Sequence, residues 1–399
     1  MNENKTDEYY MNIALDLAQM GKGMTSPNPM VGAVVVRDGK IVGKGWHKKA
    51  GTPHGEAIAL DKAGAKAEGG TLYVNLEPCC HTDKLTPPCS EAVIKSKVAK
   101  VVIGMVDPNP KVSGKGVEAL KKAGIEVVVG VLQERCERLN QVFTKYITTG
   151  MPFVTMKIAQ TLDGKIATAT GESKWITGVE ARRFGHTLRN YADAIVVGIG
   201  TVLRDDPSLT TRLEDNPNSR DPNRIILDSR LRIPPDAKVL NVDSKATTYV
   251  ATTVAAPTQK MKEVKAKGAE LLIIDEAEEG MLNLVMLMEE LAKMGMTNIL
   301  FEGGARVNAE ALRSGIIDKA MFFIAPKLLG GDDAKGSIGG RSPESLSDAV
   351  PLLDIHYTRL GDDLLIEGYL NKPETHGTQG AGTVSEAPPK KKRRRNKRK

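Results

Sequence analysis

Short β-branched runs alternate with helical stretches along this chain in two successive sets, and that alternation most narrows what it can fold into. In the first set "VGAVVVRDGKIVGKGW" holds two runs joined across Asp38-Gly39, the dipeptide favoured in tight hairpins. A helix opening near His54, a strand "TLYVNL", a helix after Pro88, a strand "KVVIGMV", a helix "GKGVEALKKAG" and a strand "IEVVVG" follow. Ahead of them Tyr10, Ile13, Ala14, Leu17 and Ala18 recur at helical spacing until "SPNPM" breaks the pattern with two prolines. This order predicts a layered α/β domain with parallel pairing in its second half, closed by a helical stretch from Leu132 to about Thr148. At "TTGMPFVTMKIA" a Gly-Met-Pro break restarts the alternation. The strand candidates there are "FVTMKIA", "AIVVGIG", "RIILDS", "TTYVAT", "ELLII", "NILFEGG", "KAMFFIAPKLL" and "LLIEGYL", with helical stretches at Thr258 to Lys267 and Leu282 to Met294.

A length of 399 residues suits two domains, each able to bury a core with 41% hydrophobic residues available. The predicted boundary falls at Gly150, giving units 1–149 and 150–372. Residues 373–399, almost without large apolar side chains, are expected to be disordered. The net charge of +7 belongs to that tail: "KKKRRRNKRK" carries nine positive charges, so the remainder sums to about −2. Against a nuclear import signal or a nucleic-acid tether, the tail reads as a solvated charge run, because no aromatic residues interleave the charges; non-specific attraction to nucleic acid is expected at low salt. No apolar run of about 18 residues predicts a membrane span, and the polar, acidic start does not read as a signal peptide, so the cytoplasm is the expected compartment. Three of four cysteines lie within eleven positions, a clustering that points to metal or catalysis and not to a disulfide framework.

Those cysteines stand in "EPCCHTDKLTPPC", downstream of "HGEAIAL". His54, Cys79 and Cys89 supply one imidazole and two thiolates, a set that suits tetrahedral zinc and leaves the fourth position for water. Glu56, two residues from His54, is placed for general acid/base work on that water. Cys80 is read as a buried bystander, because Pro78 fixes the chain just before Cys79. A closed structural zinc site built from Cys79, Cys80, His81 and Cys89 is the competing reading, and it leaves His54 and Glu56 unexplained.

The H-x-E and P-C elements resemble those of zinc nucleobase deaminases, with nine residues in place of two between the cysteine ligands. More closely, "HGE" with "EPCCHTDKLTPPC", "SPNPMVGAVVV" and "VDPNPKVSGKG" resembles the deaminase domain of the bifunctional riboflavin-biosynthesis deaminase-reductases. The resemblance implies a cytidine-deaminase-like three-layer domain. It also implies that Asn28, His47, His81, Lys84, Asp107 and Asn109 contact a pyrimidine and its ribose phosphate.

In the second half, Gly198 and Gly200 lack the third glycine of a dinucleotide fingerprint, whereas "NILF" runs into Gly303-Gly304 and a helix whose free N–H groups suit a phosphate. "KIAQTLDGKIA", "GESKWITG", "GTVLRDDPSLTTR", "RIILDSRLRIP" and "EGGARVNAEAL" are similar, in order, to the reductase domain of the same family, a relative of dihydrofolate reductase. That resemblance implies NADPH, with contacts from Ala159, Trp175, Thr201, Asp205, Ser229, Gly304, Ala305, Arg306, Val307, Asn308, Ala309 and Glu310. It implies substrate contacts from Ser173, Arg189, Leu209, Arg212 and Glu302. Arg189 and Arg212 have the chemistry to clamp a phosphate bidentately, and Lys157 and Asp205 are candidates to deliver or orient a proton to the opened sugar ring. Trp175 has a plainer reading as a core aromatic.

Together these readings predict zinc-dependent deamination of 2,5-diamino-6-ribosylamino-4(3H)-pyrimidinone 5′-phosphate, then NADPH-dependent reduction of its ribosyl group, by a homo-oligomer carrying one zinc per chain. The rivals are a nucleoside or tRNA deaminase with an appended nucleotide-binding domain, and an RNA-binding protein with an inactive deaminase-like fold.

Overall fold

The computed structural model describes residues 5–80, 87–216, 219–277 and 280–371. His81, Lys84 and the tail 373–399 lie outside the described residues, so their expected roles stay with the sequence.

The first half runs α1 (Asp7–Gln19), β1 (Gly32–Arg37), β2 (Lys40–Trp46), α2 (Gly55–Ala63), β3 (Thr71–Leu76), α3 (Cys89–Lys95), β4 (Lys100–Met105), α4 (Lys115–Lys122), β5 (Glu126–Val129), α5 (Gln133–Leu139) and α6 (Gln141–Thr149). Five strands form one sheet in the order β2-β1-β3-β4-β5, antiparallel across its first two pairings and parallel from β3 onward. Asp38 (φ 50°) and Gly39 (φ 70°) both take the left-handed conformation that a tight hairpin needs, so the dipeptide turns β1 into β2.

Glycines let helices lie directly on this sheet. A Cβ on Gly32 would meet Ala14 O of α1 at 2.0 Å, and one on Gly45 would meet Gly55 O of α2 at 2.3 Å. Gly45 pairs with Ala33, the neighbour of Gly32, so the two glycines face opposite sides and α1 and α2 cover opposite faces. The result is the expected three-layer domain. The stretch from Leu132 to Thr148 is two helices and not one, because Asn140 leaves helical geometry to bond Met30 through both ends of its amide (2.8 and 3.1 Å).

The second half runs β6 (Phe153–Thr161), β7 (Lys165–Ala167), α7 (Val179–Tyr191), β8 (Ala194–Gly198), α8 (Ile199–Asp205), β9 (Asn223–Leu227), β10 (Thr248–Thr252), α9 (Thr258–Ala266), β11 (Glu270–Ile273), α10 (Leu284–Lys293), β12 (Asn298–Phe301), α11 (Ala305–Arg313), β13 (Lys319–Ala325), β14 (Lys335–Gly336), β15 (Leu353–Leu360) and β16 (Asp363–Tyr369). Nine of these strands form a sheet in the order β11-β10-β9-β8-β12-β6-β13-β16-β15. Seven are parallel, and β16 and β15 add an antiparallel edge. The chain leaves β8 for β9 on one side and later returns to place β12 on the other, which opens a crevice at the carboxyl ends of these strands. β8 stops at Gly198, two residues short of the expected strand, because Ile199 and Gly200 open α8. Helix α7 and edge strand β15 were not among the expected elements.

Gly150 (φ 72°) caps α6 and turns the chain from one sheet into the other. The halves touch through the Lys145–Asp318 ion pair (2.8 Å), a hydrogen bond from Tyr369 Oη to Gln141 (2.6 Å) and the Arg138–Asp354 pair (3.0 Å).

Candidate active sites

Two helix starts and the end of one buried strand build the first site. His54 is the N-cap of α2, so its ring stands at the mouth of the helix while Glu56, two residues on, is buried in the first turn. Cys79 follows β3 after Pro78, and Cys89 opens α3 after Pro88. These elements bring the donor atoms of His54, Glu56, Cys79 and Cys89 within 4.8 Å of one another, the arrangement of a metal-holding group. The Sγ atoms of Cys79 and Cys89 lie 3.5 and 3.4 Å from His54 Nδ1. A tetrahedral zinc about 2.3 Å from sulfur and about 2.0 Å from nitrogen sets such ligands about 3.5 Å apart. The donor set therefore fits zinc in both chemistry and spacing.

Glu56 Oε2 is buried and meets no hydrogen-bond partner among the described residues. Burial pushes its pKa up, offset in part by His54. A carboxyl oxygen left this way is aimed at something other than protein. Cys80 is half-buried, not the buried filler expected, and stands outside the four-residue cluster. Its thiol is pushed up by burial first, then by Glu77 and Cys79.

Of the expected pyrimidine contacts, His47 is buried with its ring centroid 5.0 Å from that of His54, and Asn28 Nδ2 lies 3.4 Å from His47 Nε2. Asp107 accepts a hydrogen bond from Asn109 N–H (2.9 Å); burial, helped by Glu77 and Cys79 and opposed by that bond, pushes its carboxyl up to about 7. Glu77 was missed by sequence reasoning. Buried just ahead of Pro78, it accepts from Asp107 N–H (3.1 Å), Gly114 N–H (2.9 Å) and Val117 N–H (3.0 Å), and so ties the cysteine loop to the loop of Asp107 and Asn109. A carboxylate directly after a buried strand and just ahead of a proline was the available signal.

The second site is a cavity of about 850 Å³ at the carboxyl ends of β6, β8, β9 and β12. Of the expected residues, Ala159, Trp175, Thr201, Asp205, Ser229, Gly304, Ala305, Arg306, Val307 and Asn308 line it, and so do Ser173, Arg189, Leu209, Glu302 and Lys157. Ala309 and Glu310 do not: they sit further along α11, where Glu310 turns to Arg313 (3.2 Å). Arg212 is also absent from the lining, and its backbone N–H donates to His186 Nδ1 (3.3 Å). Trp175 is 62% exposed, so it is no core aromatic; the Arg182 guanidinium stacks 4.5 Å from its ring centroid.

Gly303 and Gly198 are there for packing. A Cβ on either would come within 2.8 and 2.6 Å of Val307, whereas one on Gly200 would meet nothing. The cradle of Gly303, Gly304 and the first turn of α11 thus leaves backbone N–H groups open to the cavity, as a phosphate requires. Nine cationic side chains line the cavity against two acidic ones, a balance suited to a polyanion such as a dinucleotide phosphate.

Arg189 does not present a fork to a phosphate. Its Nε and Nη2 donate to the two oxygens of Glu302 (2.9 and 2.8 Å) and its Nη1 to Thr210 O (3.0 Å). Burial alone would raise the Glu302 carboxyl, but Arg189 and Lys157, the latter 3.8 Å away, hold it at about 2. A buried carboxylate needs such a partner, so Arg189 is engaged by Glu302 and Thr210 while it lines the cavity. His186, also missed from sequence, is held down to about 4 by burial and by the Arg189 and Arg212 charges. His186, Arg189 and Asp221 bond three successive residues, with Asp221 accepting from Thr211 N–H (2.7 Å), and so fix the loop from Thr210 to Arg212.

Comparison with known proteins finds relatives of both halves. Residues 4–105 match the cytidine and deoxycytidylate deaminase zinc-binding region, and residues 152–366 match the RibD C-terminal domain. The riboflavin biosynthesis protein RibD of Aquifex aeolicus is 47% identical over 360 residues, 90% of this chain and 97% of that protein. Acinetobacter baumannii RibD superposes with a TM-score of 0.80 at 39% identity, over 92% of this chain and 99% of the other. A deaminase/reductase from Thermotoga maritima, described as a diaminohydroxyphosphoribosylaminopyrimidine deaminase and 5-amino-6-(5-phosphoribosylamino)uracil reductase, gives 0.79 at 36% identity over 91% and 98%. The chain belongs to the RibD family and is a riboflavin-biosynthesis enzyme that is both a zinc deaminase and an NADPH-dependent reductase.

Proposed function

We propose that the two activities divide at Gly150, with deamination at the cluster within residues 1–149, reduction in the cavity of residues 150–372, and no part for the tail 373–399. The observation that carries the first assignment is the convergence of His54, Cys79 and Cys89 around a distance that fits zinc, beside a buried Glu56 oxygen without a protein partner. Bound by these three residues, zinc supplies Lewis acidity that brings the pKa of water toward about 7. Glu56 takes a proton from the attacking water at Oε2 and returns it to the leaving amine, which departs as ammonia. We assign His47, Asn28, Asp107 and Asn109 to the pyrimidine and its ribose phosphate, a reading supported by the His47 ring lying 5.0 Å from that of His54 and by Asn28 lying against His47.

The substrate proposed is the one in the Thermotoga protein's description, here 2,5-diamino-6-ribosylamino-4(3H)-pyrimidinone 5′-phosphate. In the cavity, NADPH supplies the hydride taken up at the sugar carbon bonded to the amine. The carbon–oxygen bond of the ring opens, and its oxygen takes a proton. Lys157 lines the cavity with its ammonium beside Glu302, which favours it as the group that delivers that proton over Asp205 at the far end of α8.

The diaminopyrimidine ribosyl phosphate should release ammonia without NADPH, and nicotinamide absorbance should fall only once the deaminated product exists. Removing zinc with a chelator should stop ammonia release and leave reduction of supplied deaminated substrate intact. Ammonia from cytidine or tRNA, and none from this substrate, would favour the rival deaminase.

Self-association is proposed along β15. This edge strand exposes Leu353, Ile355 and Tyr357 (44, 57 and 79%), and among the described residues no strand pairs with its outer edge. Sedimentation should show an oligomer that Ile355→Lys shifts toward the monomer; an unchanged distribution would remove this edge as the contact.

A further inference from the structure

Arg224 is 2% exposed in β9, three residues or about 10 Å along the strand before Leu227, which lines the cavity. It lines neither site itself. Its Nε donates to Thr248 Oγ1 (2.8 Å), its Nη1 to Ser244 Oγ (3.2 Å) and its Nη2 to Ala246 O, and among the described residues none of them goes to a carboxylate. Burial pushes its pKa down, and the Asp221 charge opposes that shift. Ser244 joins the two: its hydroxyl accepts from Arg224 and donates to Asp221 Oδ2 (2.7 Å). A buried cation is costly without a negative partner, and here the partner acts through one hydroxyl.

The other oxygen of Asp221 accepts from Thr211 N–H (2.7 Å), in the loop that walls the cavity. Two residues earlier Leu209 lines that cavity, buried and in the left-handed region with φ 55°. This conformation is costly for a bulky side chain, and a residue stays in it while its surroundings hold it there. The surroundings here are explicit. Asp206, also left-handed (φ 41°), is fixed by the backbone N–H of Lys238 (2.8 Å), and Thr211 is fixed by Asp221. Between them Thr210 O accepts from Arg189, whose guanidinium pairs with Glu302 beside Lys157. The loop therefore stands at the end of the cavity where the sugar is reduced.

We propose that Arg224, Ser244 and Asp221 form a relay that positions the loop from Leu209 to Arg212 for the pyrimidine ribosyl phosphate. The relay deepens, and rests on, the reading of the cavity as the site of reduction. All three are positioning residues: none lines the cavity, and the effect reaches substrate through the backbone of Thr211. Cutting the relay anywhere frees the same loop, so the three act as one unit.

Steady-state reduction of supplied deaminated substrate by the full-length protein, at saturating NADPH, reads this directly. Ser244→Ala should raise KM about tenfold, with kcat and the NADPH dissociation constant changed by less than about twofold. Asp221→Asn should raise KM at least as much, because asparagine offers one acceptor oxygen to two donors. Ser244→Thr keeps the hydroxyl and should restore KM. Adding Ser244→Ala to Asp221→Asn should change KM by less than about twofold further. Arg224→Met should match them, and if it does not fold, the other two variants decide. A Ser244→Ala protein with a lowered unfolding midpoint and an unchanged KM, or with a fall in kcat in place of a rise in KM, would overturn the relay. Effects that multiply in the double variant would overturn it too. Reduction unchanged when Ala159→Trp fills the cavity would instead overturn the cavity as the site of reduction.

Discussion

The two sites solve the problem of holding a ligand in opposite ways. The deaminase cluster draws three ligands and one acid from two helix starts and one strand end, all packed within 4.8 Å, and it suits a single ion. The reductase cavity spreads over the ends of four strands, and its charges act on one another before any ligand arrives. In the first, each residue's role follows from its own chemistry. In the second, the roles follow from pairings: Arg189 serves Glu302, and His186 serves the backbone of Arg212. A compact metal site should thus fail completely when one residue changes, and a spread polar cavity should fail by degrees.

The sharpest break of that contrast is at the adjacent cysteines. Cys79→Ser should abolish zinc binding, measured as metal per chain, and with it ammonia release, while NADPH binding persists. Cys80→Ser should leave both intact, because Cys80 stands outside the cluster. The reverse pattern would exchange the roles of the two.

The same contrast explains how much could be read from the sequence. Alternation marked nearly every strand, and Asp38-Gly39 marked its hairpin, because these signals are local. The break at Asn140 escaped notice because its cause is Met30, 110 positions away. Strand β15 escaped because it is exposed on both faces and a bulge between Leu353 and His356 keeps its apolar residues off one common face, and α7 because "VEARRFGHTLRNY" is mostly polar and works through its side chains. His54, Glu56, Cys79 and Cys89 were legible, since few other chemistries use that set. Glu77 and His186 were not, because one among many carboxylates or imidazoles shows its partners only in three dimensions.

An intermediate effect is expected at the buried pair. Glu302→Gln leaves Arg189 without its carboxylate and Lys157 without its neighbour, at a cost of about 3 kcal/mol in unfolding free energy. Reduction should fall by orders of magnitude while ammonia release is retained, since no deaminase residue touches the pair. A variant that loses both activities together, with unfolding unchanged, would mean the sites are not separable as proposed.

The smallest effect concerns His186, and its sign is fixed by the direction of its pKa. Burial and the Arg189 and Arg212 charges lower it from 6.5 to about 4 in the folded state, so the folded protein binds its proton less readily than the unfolded chain. The stability this contributes is complete above about pH 6.5 and is lost as pH falls toward 4. The ring is half-exposed, so solvent screening keeps the effect to about 1 kcal/mol. His186→Asn keeps an acceptor for Arg212 N–H and removes the titration. Denaturant unfolding from pH 7 to 4 should show the wild type losing stability relative to this variant below pH 6.5, with a gap that closes again above it. Parallel curves would show that the imidazole is not held neutral by its neighbours, and the loop from Thr210 to Arg212 would then rest on Arg189 and Asp221 alone.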